Sequence, residues 1–82
     1  MTVGIVGAGQ LGRMLALAGY PLGLDFRVLD PAANAPAGHV APLLHGAFTD
    51  TRLLARLARQ CEVITFDWEN VSLASLAGIA RR

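Results

Sequence analysis

The 82 residues contain no lysine. A Walker-type phosphate loop and a Schiff-base enzyme both depend on that amine, so neither chemistry resides in this stretch. All seven cations are arginine, set against six acids for a net charge of +1. They form no basic stripe: Arg52, Arg56 and Arg59 read as one solvated helix face, and Arg81 and Arg82 close the sequence, so no nucleic-acid partner is expected. The single cysteine, Cys61, can form neither an internal disulfide nor a metal cluster, which fits a reducing cytoplasm. His39 and His45 lack metal-ligand spacing with Cys61 or the acids, so no metal site is expected either. The longest uncharged apolar stretch, Met14 to Leu24, is broken by Gly19 and Pro21, and no basic segment precedes Thr2–Val6. Neither a signal peptide nor a membrane span is expected.

What is present is apolar. Hydrophobic residues make up 54% of the chain and charged ones 16%, with mean hydropathy +0.47, so a folded core is expected rather than disorder. The length allows one domain over residues 1–82. So small and apolar a domain cannot hide all its apolar surface internally, which predicts a face that docks on something larger.

Val3, Ile5 and Val6 read as a buried strand that stops at Gly7. From Gln10, residues Leu11, Met14, Leu15, Leu17 and Ala18 recur at helical spacing and predict an apolar helix face, ended by Pro21 and Gly23. Phe26, Val28 and Leu29 predict a second strand ending at Asp30, and Pro31–Gly38 a loop. Within His39–Phe48, the apolar residues Val40, Leu43, Leu44 and Phe48 allow a short turn and a third strand, against which Gly46 counts. Thr49 or Asp50 caps a helix with Leu53, Leu54, Leu57 and Ala58 toward the core and Arg52, Arg56 and Arg59 outward. Glu62–Phe66 predicts a fourth strand, Asp67–Asn70 a polar turn, and Ser72 the cap of a last helix through Leu73, Leu76 and Ile79. This alternation predicts an α/β fold: the Rossmann-like half of a doubly wound parallel sheet, about four strands in the order 3-2-1-4, with helices on both faces. Ligands of such sheets bind outside the carboxyl ends where the winding reverses. The turns after the first strand, Gly7–Gly12, and after the fourth, Asp67–Glu69, should therefore line one crevice.

Gly7-Ala8-Gly9-Gln10-Leu11-Gly12 fits G-x-G-x-x-G between a strand and a helix. Glycines permit the tight turn and a close backbone approach, and the helix N-terminus favours an anion such as phosphate. The plain alternative is a turn that packs the helix on the sheet and binds nothing. Asp30 follows Gly12 at close to the separation of about 20 residues that places the ribose-binding acid of a dinucleotide fold. An NAD- or FAD-binding domain of an oxidoreductase is thus the competing reading, unless Asp30 caps the loop beginning at Pro31. Asp67 and Glu69, two apart, point the same way if the strand continues. Carboxylates beside a phosphate site make sense for a ligand that also carries an amine or hydroxyl; otherwise they are solvated turn acids. Arg13 is either a ligand contact or surface.

The runs Val6-Gly7-Ala8-Gly9-Gln10-Leu11-Gly12-Arg13-Met14-Leu15, Leu29-Asp30-Pro31 with Pro36-Ala37, and Thr65-Phe66-Asp67-Trp68-Glu69-Asn70-Val71 together resemble the N-terminal, pre-ATP-grasp domain of the N5-carboxyaminoimidazole ribonucleotide synthetase family of ATP-grasp ligases in purine biosynthesis. The resemblance covers nearly the whole chain. It implies an enzyme in which ATP activates bicarbonate as carboxyphosphate and the exocyclic amine of 5-aminoimidazole ribonucleotide takes up the carboxyl group. It also implies a substrate-binding set of Gly9, Gln10, Leu11, Gly12, Asp67 and Glu69, with Gln10-Leu11 against the ribonucleotide and the acid at Asp67 against the aminoimidazole. The family usually has T-x-E-x-E-N where this chain has aspartate at 67, one methylene shorter, which leaves the contact to Asp67, to Glu69 or to both. In the family, ATP, Mg2+ and the phosphate-binding lysines belong to an ATP-grasp body C-terminal to this domain. The resemblance therefore predicts a fragment of a longer cytoplasmic, homodimeric enzyme, inactive by itself, whose apolar face docks on that body. A non-catalytic docking module is the remaining alternative.

Overall fold

Side chains on a strand alternate between the two faces of its sheet, and that alternation decides how this fold is covered. A computed structural model of the protein describes residues 1–66. The expected turn at 67–70 and the last helix lie outside the described residues. Four strands, β1 (Thr2–Val6), β2 (Asp25–Asp30), β3 (Leu43–His45) and β4 (Val63–Phe66), form one parallel sheet in the order β3-β2-β1-β4. Val6 pairs with Leu29 on one side and with Phe66 on the other, so the carboxyl ends of the three strands are level.

Helix α1 (Gln10–Gly19) and a 3-10 turn (Pro36–His39) cover one face. There Val3, Ile5, Phe26 and Val28 meet Ala8, Ala16, Ala35, Ala37 and Ala41 in one buried cluster. Helix α2 (Thr51–Gln60) covers the other, where Val6 and Leu29 meet Leu54 and Leu57. The predicted doubly wound α/β fold and strand order are what the structure contains. Asp50 caps α2, its Oδ1 accepting from the N–H groups of Arg52 (3.0 Å) and Leu53 (3.1 Å). The three arginines of α2 are not packed in the core: Arg52, Arg56 and Arg59 are exposed as expected, while Ala55 is buried and Leu53 and Ala58 only half-buried.

Helix α1 corrects the reading of its apolar face. The residues against the sheet are Gly12, Ala16 and Gly19, whereas Leu11 and Met14 are each 63% exposed and Leu15, Leu17 and Ala18 are exposed too. The cause is proximity: Gly19 faces the buried Phe26 ring so closely that a methyl there would strike it. Only small side chains fit between helix and sheet, and the large ones turn outward. The segment Pro31–Gly38 also differs from a simple loop, because Ala35 and Ala37 are buried against α1 and its turn.

Candidate functional site

The strand order puts β1 at the centre with β4 beside it, the position where winding reverses and ligands of such sheets bind. The chain leaves β1 through Gly7, whose φ of 101° lies in the left-handed region that L side chains rarely adopt. Gly7 donates its N–H to the carbonyl of Leu29 at 2.8 Å, which docks the turn on the end of β2. Gly9 then occupies the N-cap position of α1 with no capping side chain, and its carbonyl accepts the first helical hydrogen bond, from the N–H of Arg13 at 3.0 Å. No acidic residue stands in the first turn of the helix, so nothing on α1 itself opposes an anion there.

Gly9, Gln10, Leu11 and Gly12 are thus brought together in one helical turn. Gln10 and Leu11 are exposed, Gly9 is half-buried, and Gly12 is buried on the sheet side. Next to them runs an apolar groove of about 430 Å³ lined by Ile5, Leu11, Met14, Leu15, Thr65 and Phe66. The hydrophobic period of the sequence assigns Met14 and Leu15 to the core. The signal that corrects this is the second set at helical spacing, Gly12, Ala16 and Gly19, which is smaller and therefore closer-packing. Asp67 and Glu69 lie outside the described residues, although Phe66, the residue before Asp67, is part of the groove wall.

Asp30 does not present a free carboxylate toward a ribose. It is 4% exposed, with Oδ2 accepting from the N–H of Ala8 and Oδ1 from that of Ala32, both at 2.9 Å. Both oxygens are thus engaged by the backbone, one in the glycine turn and one in the following loop. His45 is likewise structural, its Nε2–H donating to the Pro31 carbonyl at 2.9 Å. Burial pushes the Cys61 thiol up, outweighing the opposing field of Arg27, so it is a poor nucleophile at neutral pH. Among the described residues, no three His, Cys, Asp or Glu side chains converge as a metal site, and no helix is long and apolar enough to cross a membrane. A second depression of about 350 Å³, lined by Thr51, Arg52, Ala55 and Arg59 of α2, includes none of the predicted site residues.

A parallel sheet in the order 3-2-1-4 with a glycine turn at its centre defines a Rossmann-like, doubly wound α/β domain, and the comparison with known proteins narrows it. The chain belongs to the family described as the ribonucleotide synthetase pre-ATP-grasp domain, whose model matches residues 1–82. It is 41% identical to an N5-carboxyaminoimidazole ribonucleotide synthase of Pseudomonas aeruginosa over 81 residues, covering 99% of this chain and 22% of that relative. Among solved structures it is similar to the N5-carboxyaminoimidazole ribonucleotide synthetase of Thermus thermophilus, with 50% identity and a TM-score of 0.92 over 98% of this chain and 22% of that one. It is also similar to the Staphylococcus aureus synthetase complexed with ADP, with 35% identity and a TM-score of 0.94 over 99% of this chain and 22% of that one. The chain spans about a fifth of the length of the relatives it matches.

Proposed function

We propose that residues 1–82 are the N-terminal domain of an ATP-dependent ligase that carboxylates 5-aminoimidazole ribonucleotide with bicarbonate, and that this domain supplies part of the ribonucleotide site. The observation that carries the reading is the glycine turn at the carboxyl end of β1, followed by exposed Gln10 and Leu11 beside the end of β4. The names of the relatives, and the ADP held by one of them, support the substrate and the nucleotide.

In this reading the backbone at Gly9–Gly12 and the Gln10 amide hold the anionic end of the ribonucleotide. Leu11 packs beside it, Gly12 lets the helix sit close to the sheet, and Asp67 with Glu69 accepts from the exocyclic amine. Orienting that amine is the domain's share of the reaction, because a positioned nucleophile reacts far faster than a free one. ATP and Mg2+ would be held outside this chain, on an ATP-grasp body, and would supply the activation of bicarbonate. That body would cover the apolar groove, and the whole enzyme would work as a cytoplasmic homodimer.

Steady-state kinetics of the full-length protein test this. Asp67→Asn and Gln10→Ala should each raise KM for the aminoimidazole ribonucleotide about tenfold, the scale of a lost charge-assisted hydrogen bond, and leave KM for ATP within about twofold. If neither variant changes the ribonucleotide requirement, the domain has no part in that site.

A further inference from the structure

Asp30 is the one buried charged side chain among the described residues. Taking a carboxylate out of water is costly, and it is tolerated where fixed donors replace the lost hydration. Here those donors tie two segments together. Oδ2 takes the N–H of Ala8 in the glycine turn and Oδ1 takes the N–H of Ala32 in the loop after β2. Neighbouring bonds secure the same peptides: Gly7 donates to Leu29, the Ala8 carbonyl accepts from the N–H of Ala37 at 2.8 Å, and the Asp30 carbonyl accepts from the N–H of Gly46 at 3.1 Å.

The turn is therefore held at three polar groups: Gly7 N–H and Ala8 N–H by the end of β2, and the Ala8 carbonyl by the 3-10 turn that follows it. This arrangement has a chemical consequence. The first two N–H groups of the turn are already spent inside the protein, so an anion can be received only further along, at the start of α1. The placement of that helical turn depends on the peptide that Asp30 grips.

We propose that Asp30 is a positioning residue for ribonucleotide binding: through Ala8 it fixes the glycine turn so that Gly9–Gln10–Leu11 meets the ligand, without touching the ligand itself. The proposal rests on the function assigned above to that turn. An alanine in place of Asp30 would lose both bonds. Asparagine has nearly the same shape but only one acceptor, so whichever way its amide is turned, the N–H of Ala8 or that of Ala32 faces another donor.

The test is steady-state kinetics of the full-length enzyme with Asp30→Asn, Gln10→Ala and the double variant. Asp30→Asn should raise KM for the aminoimidazole ribonucleotide about tenfold, with KM for ATP within about twofold and kcat at saturation nearly unchanged. Because both residues act through one turn, the double variant should lose little more than the worse single one. Should Asp30→Asn fail to fold, Asp30→Glu carries the same prediction with a smaller factor, since it retains both acceptors but displaces Ala8 by a methylene. Equal rises in both KM values, a loss confined to kcat, or a double variant whose losses multiply would overturn the positioning role. If Gln10→Ala leaves the ribonucleotide KM unaltered while Asp30→Asn raises it, the assignment of Gln10 fails and not that of Asp30; if neither variant moves it, both fail.

Discussion

Helices α1 and α2 cover opposite faces of one sheet by opposite means. Helix α2 buries Leu54 and Leu57 on Val6 and Leu29, and points its arginines at solvent. Helix α1 buries Gly12, Ala16 and Gly19, and points Leu11, Met14, Leu15 and Leu17 outward. A helix that rests on leucines stands away from its sheet, and its hydrophobic surface is consumed in doing so. A helix that rests on glycine and alanine sits close and leaves its large apolar residues exposed, an arrangement that suits the ligand-binding turn and the docking face proposed above. The α2 face thus buries its large apolar residues, while the α1 face leaves its own exposed.

The sharpest break in that comparison is a truncation at the α2 interface. Leu54→Ala removes a fully buried side chain and should destabilise the protein by about 2–5 kcal/mol, read as a lower urea midpoint with an unchanged slope. A cost below about 1 kcal/mol would mean that α2 does not carry the core of its face.

On the α1 side the rule inverts, with enlargement harmful and truncation mild. Ala16→Leu forces a bulky side chain into a site with no exposed surface and should cost about 1–3 kcal/mol. Met14→Ala should change stability by no more than about 0.5 kcal/mol in the same denaturation experiment. The opposite ranking would show Met14 to be the packing residue and Ala16 a spectator. A large loss at Met14 confined to the full-length protein would place a second surface on the groove.

This inversion also explains what the sequence could and could not reveal. Strands β1, β2 and β4 and the α2 cap were legible because β-rich runs, an Asp at an N-cap and large residues at helical spacing are strong local signals; three-residue β3, next to Gly46, left a weaker one, and the strand order followed from the β/α alternation. The face of α1 was not, since hydrophobic periodicity weights leucine and methionine above alanine and glycine, and here the small residues win the interface on shape. Ala35 and Ala37 escaped for the same reason, inside a proline-rich run with no regular period. Asp30 was visible as an acid at a suggestive spacing, but its partner is a backbone N–H 22 residues earlier, which leaves no mark on residue type. Gly9, Gln10, Leu11 and Gly12, the part of the substrate set implied by the resemblance that falls within the described residues, stand together at the start of α1.

The smallest effect belongs to neither face but to the edge where β4 joins β1. Thr2 donates its N–H to Glu62 Oε2 at 2.6 Å, and the N–H of Glu62 donates to the Thr2 carbonyl at 2.9 Å. The first of these bonds is the main reason the Glu62 carboxyl titrates below its ordinary value. A carboxylate whose pKa is lower in the folded chain than in the unfolded one stabilises the fold above its ordinary value of 4.5, and that contribution is lost as pH falls through the folded pKa. Glu62→Gln should therefore flatten the acid limb of stability against pH, narrowing the gap to the unsubstituted protein as pH falls through the folded pKa of Glu62, below which both side chains are uncharged. Because Glu62 is fully exposed, the gap at neutral pH should be far smaller than the loss from Leu54→Ala or Ala16→Leu. An acid limb of the same steepness in the Gln variant would show that other carboxylates govern acid unfolding and that the Thr2–Glu62 bond adds nothing to the β1–β4 seam.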